Sequence, residues 1–478
     1  MSDNGQITIV DEDRLCYIVK SVSKGAVGLR TISKALLNEF VSFISEHPDV
    51  PVKDVRFKIS GTSDIDKYEY GYGATLGTMA LMVLGKEGIT RSSTEPHVFV
   101  NKPYENISGT YTSYLTALRT KPFMLLAGIS GTGKSRIVRE MAKACWKEGD
   151  EEYGKNNPKN FCMVQVKPNW HDSTELMGYV SRLGGEKYVV GPFLKFLAAA
   201  LKDPDTPYFL CLDEMNLAPV EQYFAEYLSV IESRKQNADG IIETDPIVPF
   251  EETNAYHSLI SQLFDEEDGR PYKKEGGKQL TIPQNLFVVG TVNMDETTFS
   301  FSRKVLDRAM TIEMNEVDLH DGLEKGTGNE IGYIGNSIIG TAAEGCDVYE
   351  DNRELCDAVL EYLEQVNAIL EGTPFKIAYR TRNEFLMYAV NRKALAPDSQ
   401  LWQALDEMTS MKILSRIEGD EERTKKVLDG LNALVEEQIV AAIPPAEEGK
   451  PATKSITATK IDEMLSKLKA TGFTSYWT

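Results

Sequence analysis

The chain has 478 residues, 42% of them hydrophobic and 26% charged. That balance fits a globular protein of roughly two to four domains and excludes wholesale disorder. With 52 Lys and Arg against 72 Asp and Glu, the net charge of −20 argues against a surface that coats nucleic acid throughout, because phosphate contacts need cations. A local basic strip, or a ring with only its pore basic, remains compatible with that figure. The start MSDNGQITIVDEDR has no basic, apolar leader, and no run approaches the roughly 18 apolar residues of a membrane span. Six scattered cysteines (Cys16, Cys145, Cys162, Cys211, Cys346, Cys356) show no CxxC, and the five histidines show no metal-ligand spacing. The expectation is a cytoplasmic protein with reduced thiols and no membrane contact.

Residues 1–105 read as a small α+β unit. Leu29–Ile44 has apolar residues at helical spacing, and Val55–Ile59 alternates as a short strand would. Tyr68, Tyr70 and Tyr72 are read as a strand face ahead of a stacking surface. The Ser-, Thr- and Pro-containing stretch 87–108 is read as the linker. From Tyr111 to about Asp318, short apolar runs alternate with helical segments: Phe123–Ala127, Phe161–Val166, Tyr208–Leu212 and Leu286–Val289. Such runs predict a parallel sheet with helices on both faces. The segment at about residues 239–278, containing FDEEDGR, reads as a surface insertion. After Asp318 the strands stop; Glu354–Leu370, Asn383–Val390, Glu421–Ala441 and Thr457–Leu468 predict an all-α region over 319–478. Pro444–Lys454 reads as an exposed loop.

The strongest chemical signal is Gly128–Ser135, GISGTGKS, between a strand and a helix beginning KSRIVREMAKAC. It fits G-x-x-x-x-G-K-[ST], in which glycines let successive backbone N–H groups face phosphate oxygens. Gly128, Ile129, Ser130, Gly131, Thr132, Gly133, Lys134, Ser135 and Arg136 are therefore the candidate nucleotide-binding residues. Lys134 is assigned to the β- and γ-phosphates and Ser135 to Mg²⁺. The apolar strand Tyr208–Leu212 ends in Asp213 and Glu214. Alternation along a strand gives them different roles: Asp213 for the metal with Ser135, Glu214 for the attacking water. Asn293 closes a second apolar strand and is a candidate to position the same water. Arg308, in SRKVLDRA, is the candidate arginine finger, with Arg303 the alternative. In YRTR, Arg380 is preferred over Arg382 as the lid residue that senses the γ-phosphate.

In this order the set GISGTGKS, CLDEMN, GTVN, LDRA and a lid arginine resembles an AAA+ NTPase, and within that superfamily the McrB group. The resemblance is carried by Leu212–Arg234, Val289–Ala309, Met411–Gly419 and Gly472–Thr478, and spans about Tyr111–Thr478. It implies a P-loop parallel sheet followed by a helical lid, a homo-oligomeric ring, most simply a hexamer, and active sites shared between neighbouring subunits. It also implies ATP or GTP with Mg²⁺ as ligands, and DNA and a McrC-like nuclease subunit as partners, since the chain shows no nuclease constellation. The family stretch M-N-x-x-D is matched here by Val292–Glu296, with Glu296 in place of Asp, which shifts the lean toward ATP. Met177–Phe193 reads as a hairpin turning at Gly184-Gly185, of the kind that interrupts the second helix in McrB-like and MoxR-like ATPases. Arg182 and Lys187 are its candidate pore contacts. The alternatives are a MoxR-like protein remodeller and a nucleotide-gated scaffold.

Overall fold

The computed structural model describes residues 109–237, 241–294, 301–315, 331–445 and 452–477, together with the backbone of five short strands before them. The chain divides into two compact units, Met1–Glu105 and Asn106–Thr478.

In the first unit, β1 (Gln6–Glu12), β2 (Cys16–Ser23) and β3 (Ala26–Ser33) form an antiparallel sheet. This corrects the helix expected from Leu29: Leu29–Ser33 is extended and pairs with β2, with Leu29 opposite Lys20 and Thr31 opposite Ile18. The β-branched Val27, Thr31 and Ile32 favour the strand, and pairing outweighs the helical spacing. The expected linker also holds structure. β4 (Ile89–Arg91) and β5 (Phe99–Asn101) pair antiparallel within it. Residues 34–44, Val55–Ile59 and the three tyrosines lie outside the described residues.

The second unit is built on five parallel strands. β6 (Phe123–Gly128), β7 (Phe161–Gln165), β10 (Tyr208–Asp213), β13 (Leu286–Asn293) and β14 (Met310–Glu313) lie in the order β14-β6-β13-β10-β7. Every neighbouring pair is parallel. The inner strands are apolar runs buried on both faces, as the sequence pattern requires. Around them run α1 (Thr112–Thr120), α2 (Lys134–Ala144), the one-turn α3 (Thr174–Met177) and α4 (Pro192–Lys202). The expected hairpin separates α3 from α4: β8 (Gly178–Ser181) pairs with β9 (Lys187–Val190), and Gly184 and Gly185 adopt positive φ at its turn.

The stretch after Asp213 anchors beneath the sheet through aromatics. Tyr223, Phe224 and Tyr227 are fully buried. The Phe224 and Tyr227 rings stack 4.4 Å apart, and Tyr227 Oη donates to the Pro122 carbonyl, 3.2 Å away at the start of β6. The insertion is not a solvated loop; about its start β11 (Lys235–Gln236) pairs antiparallel with β12 (Ile242–Glu243). Its α5 (Asn254–Leu263) buries Ala255, Tyr256, Leu259, Ile260 and Leu263, and these side chains, Ala255 apart, join the main hydrophobic cluster. The acidic residues of FDEEDGR form only a short exposed turn beyond it, so charge there masked an amphipathic helix.

Among the described residues the C-terminal region is helical, with one exception. α6 (Arg303–Leu306) precedes β14, and α7 (Arg353–Ile369), α8 (Tyr379–Leu395), α9 (Leu401–Met408), α10 (Glu421–Gln438) and α11 (Ile456–Thr471) follow it. The exception corrects the all-α expectation: β15 (Glu418–Asp420) pairs antiparallel with β16 (Phe473–Ser475). Thus MKILSRIEG and GFTSYWT, separate stretches in the sequence, form one ribbon. Trp477 Nε1 donates to the Ser415 carbonyl at 2.9 Å, while its ring faces Phe301. Among the described residues no helix is long and apolar enough to cross a membrane.

Candidate nucleotide site at the carboxyl ends of the central strands

Parallel register brings three strand ends together. Asn293 pairs with Gly128, and Leu212 with Gly290, so Gly128, Asp213 and Asn293 meet at one edge of the sheet. The loop leaving β6 is exposed at Ile129, Ser130, Gly131 and Arg136, and half-buried at Thr132, Gly133 and Ser135. Gly131 and Gly133 have φ of 86° and 84°, a left-handed conformation that costs glycine little. A Cβ on Gly128 would run into the Met314 carbonyl oxygen, and Asn315 Oδ1 accepts from Ile129 N–H at 3.0 Å. Lys134 is buried beneath the loop, and its Nζ donates to the Gly128 and Ile129 carbonyls at 3.0 and 2.7 Å.

A chain of polar contacts crosses from the loop to the neighbouring strands. Ser135 Oγ donates to Asp213 Oδ1, which also accepts from Thr291 Oγ1 at 2.9 Å. Thr291 Oγ1 in turn accepts from the Glu214 backbone N–H at 2.9 Å, and Asn293 Nδ2 donates to Glu214 Oε1 at 3.3 Å. Glu214 differs from the sequence expectation in its backbone. It lies past the strand end at φ 55°, ψ 50°, and among the described residues no other non-glycine residue has positive φ. Its side-chain direction is therefore set by a left-handed turn rather than by strand alternation, a conformation of order 1–3 kcal/mol that persists where surrounding contacts enforce it. Thr291 went unnoticed in the sequence, although it lies inside GTVN. The oxygen pair Ser135 Oγ and Asp213 Oδ1 is the donor type that Mg²⁺ takes, with one or two protein ligands and the remainder from phosphate and water.

The arginines lie elsewhere. Arg308 precedes Met310, which pairs with Met124 near the start of β6. It thus lies at the amino end of the sheet, separated from the P-loop by the six-residue length of β6, about 20 Å. Its Nε and Nη2 contact the two Glu232 carboxylate oxygens at 2.7 and 2.9 Å. Arg380 Nη2 reaches the same carboxylate at 2.6 Å. Burial would raise the Glu232 carboxyl, but Arg308, Arg380 and Lys121 outweigh it and hold the group below its usual range. Arg380 therefore stands with Arg308 on Glu232. Arg382 folds onto Asn383 and the Tyr379 ring. Arg303 lies over the Phe375 ring, 3.9 Å from Glu418. Arg182 and Lys187 are exposed on the hairpin. Asp295 and Glu296 lie outside the described residues.

The five-stranded parallel sheet with a glycine-rich loop at its carboxyl edge has the fold of an AAA+ domain, and residues 123–249 match the AAA domain of the dynein-related subfamily. Within that class the chain has a similarity to a McrB subunit. It is 21% identical over 215 residues to the type IV methyl-directed restriction enzyme EcoKMcrB subunit of Escherichia coli (strain K12), an alignment covering 45% of this chain and 39% of that protein. The chain thus matches about two-fifths of the length of this curated relative. Residues 339–473 match a domain of unknown function, DUF8727. A solved structure from Cytophaga hutchinsonii, provisionally described as an ATPase, is similar over 64% of this chain and 81% of its own, at 16% identity and a TM-score of 0.36.

Proposed function

We propose that this chain is a ring-forming NTPase, hexameric when loaded with nucleotide, that hydrolyses ATP or GTP to move DNA or to activate a McrC-like nuclease subunit. The observation that carries the reading is the polar chain Ser135–Asp213–Thr291–Glu214–Asn293, joined to a P-loop on adjacent parallel strands. Lys134 exchanges its two carbonyl partners for the β- and γ-phosphates, while loop N–H groups and the start of α2 face the remaining phosphate charge. Ser135 and Asp213 would hold Mg²⁺, which would supply positive charge against the phosphates. Glu214 accepts a hydrogen bond from water and orients its oxygen toward the γ-phosphorus. Asn293 fixes the Glu214 carboxylate through Oε1. Water attacks as the bond to the leaving diphosphate breaks, and its proton passes to solvent or to the released phosphate.

Arg308 and Arg380 are too far from their own P-loop to meet that charge, so they serve the nucleotide of the adjoining subunit. The unit spanning 1–105 recognises the target or partner, and the work takes place in the cytoplasm. The likeness to a restriction-enzyme subunit supports DNA over a protein substrate. Glu214→Gln tests the core of this reading: nucleotide binding stays within about twofold while turnover falls at least about a thousand-fold, as expected for a residue acting on the transferred group. Turnover is measured with ATP and with GTP, each with and without duplex DNA. Undiminished hydrolysis by the variant removes Glu214 from the mechanism, and no hydrolysis of either nucleotide by the native ring favours a scaffold.

A further inference from the structure

The buried charges at the amino end of the sheet have no part in nucleotide binding. Lys412, Glu384 and Lys121 have side chains only 2%, 4% and 10% exposed. Lys412 Nζ lies 2.9 Å from Glu384 Oε2, while Lys121 pairs with Glu384 Oε1. The same ammonium of Lys412 donates to three main-chain carbonyls, Leu306 at 3.3 Å, Asp307 at 3.1 Å and Ala309 at 2.9 Å. These carbonyls flank Arg308 on both sides. Lys121 adds a contact to the Asp307 carbonyl at 3.3 Å, and Arg416 Nε reaches Asp307 Oδ1 at 3.1 Å.

Three features make this more than a satisfied core pair. A buried ammonium meets three carbonyls of one short segment at the end of α6 as well as the Glu384 carboxylate. Lys412 lies in a π-helical turn, Thr409–Ile413, a geometry frequent at functional sites. Glu384, its carboxylate partner, stands one turn along α8 from Arg380, whose guanidinium meets Arg308 on Glu232. Arg308 and Arg380 are therefore fixed to one frame, with Lys412 at the main chain and Glu232 at the side chains.

We infer that Lys412, held by Glu384, is a positioning residue that sets the Arg308 main chain, so that the helical region governs how the finger meets a neighbour's nucleotide. The inference rests on Arg308 acting between subunits, as proposed above, and it assigns a role within the domain of unknown function. When the helical region shifts, Lys412 carries the finger segment with it.

The test compares full-length wild type, Arg308→Ala, Lys412→Met and Lys134→Ala, each alone and mixed in equal amounts with Lys134→Ala. At saturating nucleotide, Lys412→Met lowers kcat about a hundred-fold with KM within about twofold, the scale of a misplaced catalytic group. Mixing with Lys134→Ala restores part of the rate, because that chain supplies an intact finger to the intact P-loop of Lys412→Met. A subunit that is merely misfolded cannot be rescued this way, so loss without rescue, where Lys134→Ala does rescue Arg308→Ala, overturns the inference, and failure to rescue either variant overturns the reading of Arg308 as acting between subunits. So does near-wild-type kcat in Lys412→Met when Arg308→Ala is inactive. Full activity in Arg308→Ala overturns the finger reading itself. If Lys412→Met does not accumulate as folded protein by circular dichroism, the near-isosteric Glu384→Gln replaces it, with about a tenfold kcat loss expected from the weakened anchor and the same outcomes deciding.

Discussion

The two ends of the central sheet are built in opposite ways. At the carboxyl end, the P-loop, Asp213, Glu214 and Asn293 sit at strand termini, made of glycine backbone, small hydroxyls and carboxylates that remain partly open to water. At the amino end, the charged groups come from Lys121, Glu232, Arg308, Arg380, Glu384 and Lys412, and the inner three are almost sealed from solvent. The first end is ready for a charged ligand to arrive. The second holds its charges against one another and presents the half-exposed Arg380 outward, with Arg308 and Glu232 partly exposed beside it. On the proposed reading, one sheet supports a receiving site and a donating site on opposite edges, the arrangement that sharing catalysis around a ring requires.

The largest expected effects separate the two ends by kind. Lys134→Ala removes the phosphate contact and with it nucleotide binding. Arg308→Ala leaves the P-loop intact, so binding persists while turnover in the assembled ring falls about a thousand-fold or more. Equilibrium binding of a fluorescent nucleotide, measured beside steady-state hydrolysis, distinguishes the two. If Arg308→Ala loses binding in the isolated subunit as fully as Lys134→Ala, the division of labour between the two ends is wrong.

The same contrast explains what the sequence disclosed. Carboxyl-end chemistry is legible because a P-loop is local, eight contiguous residues between a strand and a helix, and because a parallel strand announces its end with a polar residue. Asp213, Glu214 and Asn293 were identifiable on that basis. The direction of Glu214 was not, since the sequence does not reveal that its backbone turns left-handed against Thr291. The amino end was hardly legible. Arg308 and Arg380 stand out as arginines near motif positions, yet their shared carboxylate, Glu232, looks like any helical glutamate. Lys412 sits among apolar residues in MKILSR, where a buried lysine is the anomaly worth noticing. The core-bound α5 was obscured by the acidic turn after it, and the β15–β16 ribbon by three-residue strands more than 50 positions apart.

An intermediate effect is expected at Thr291, where the contrast can be sharpened. Its hydroxyl, 2% exposed as a residue, donates to Asp213 and accepts from Glu214 N–H. Thr291→Val keeps the shape but removes one of two donors to Asp213 Oδ1 and takes the acceptor from the Glu214 N–H, at a cost of about 1–3 kcal/mol for a group left unsatisfied. The variant should melt lower and lose about tenfold in kcat through loosened Glu214, whereas Thr291→Ser should recover most of both. Equal damage from Ser and Val would show that methyl packing, not the hydroxyl, is what matters there.

The smallest expected effect concerns the amino end alone and is read from stability against pH. Burial would raise the Glu384 carboxyl, but Lys121 and Lys412 together hold it below its ordinary range. A folded value below the unfolded one means that the unfolded chain binds the proton more readily as pH falls. The stabilisation is then complete above the usual carboxylate pKa of about 4.3 and drains away as pH drops through the folded value. Glu384→Gln never had it, so the difference in Tm between wild type and variant should be full at pH 7 and narrow below about pH 4. Lys121 is pushed the other way, down to about 8, first by burial and also by Lys412, with Glu384 opposing. Its folded form sheds a proton before the unfolded form does, so it makes stability rise between about pH 8 and pH 10. Lys121→Met should flatten that limb. A Glu384→Gln difference that stays constant from pH 7 to pH 3.5 would mean that the carboxylate is not the charge tying the helical region to the finger segment, and the amino end would then be held by packing alone.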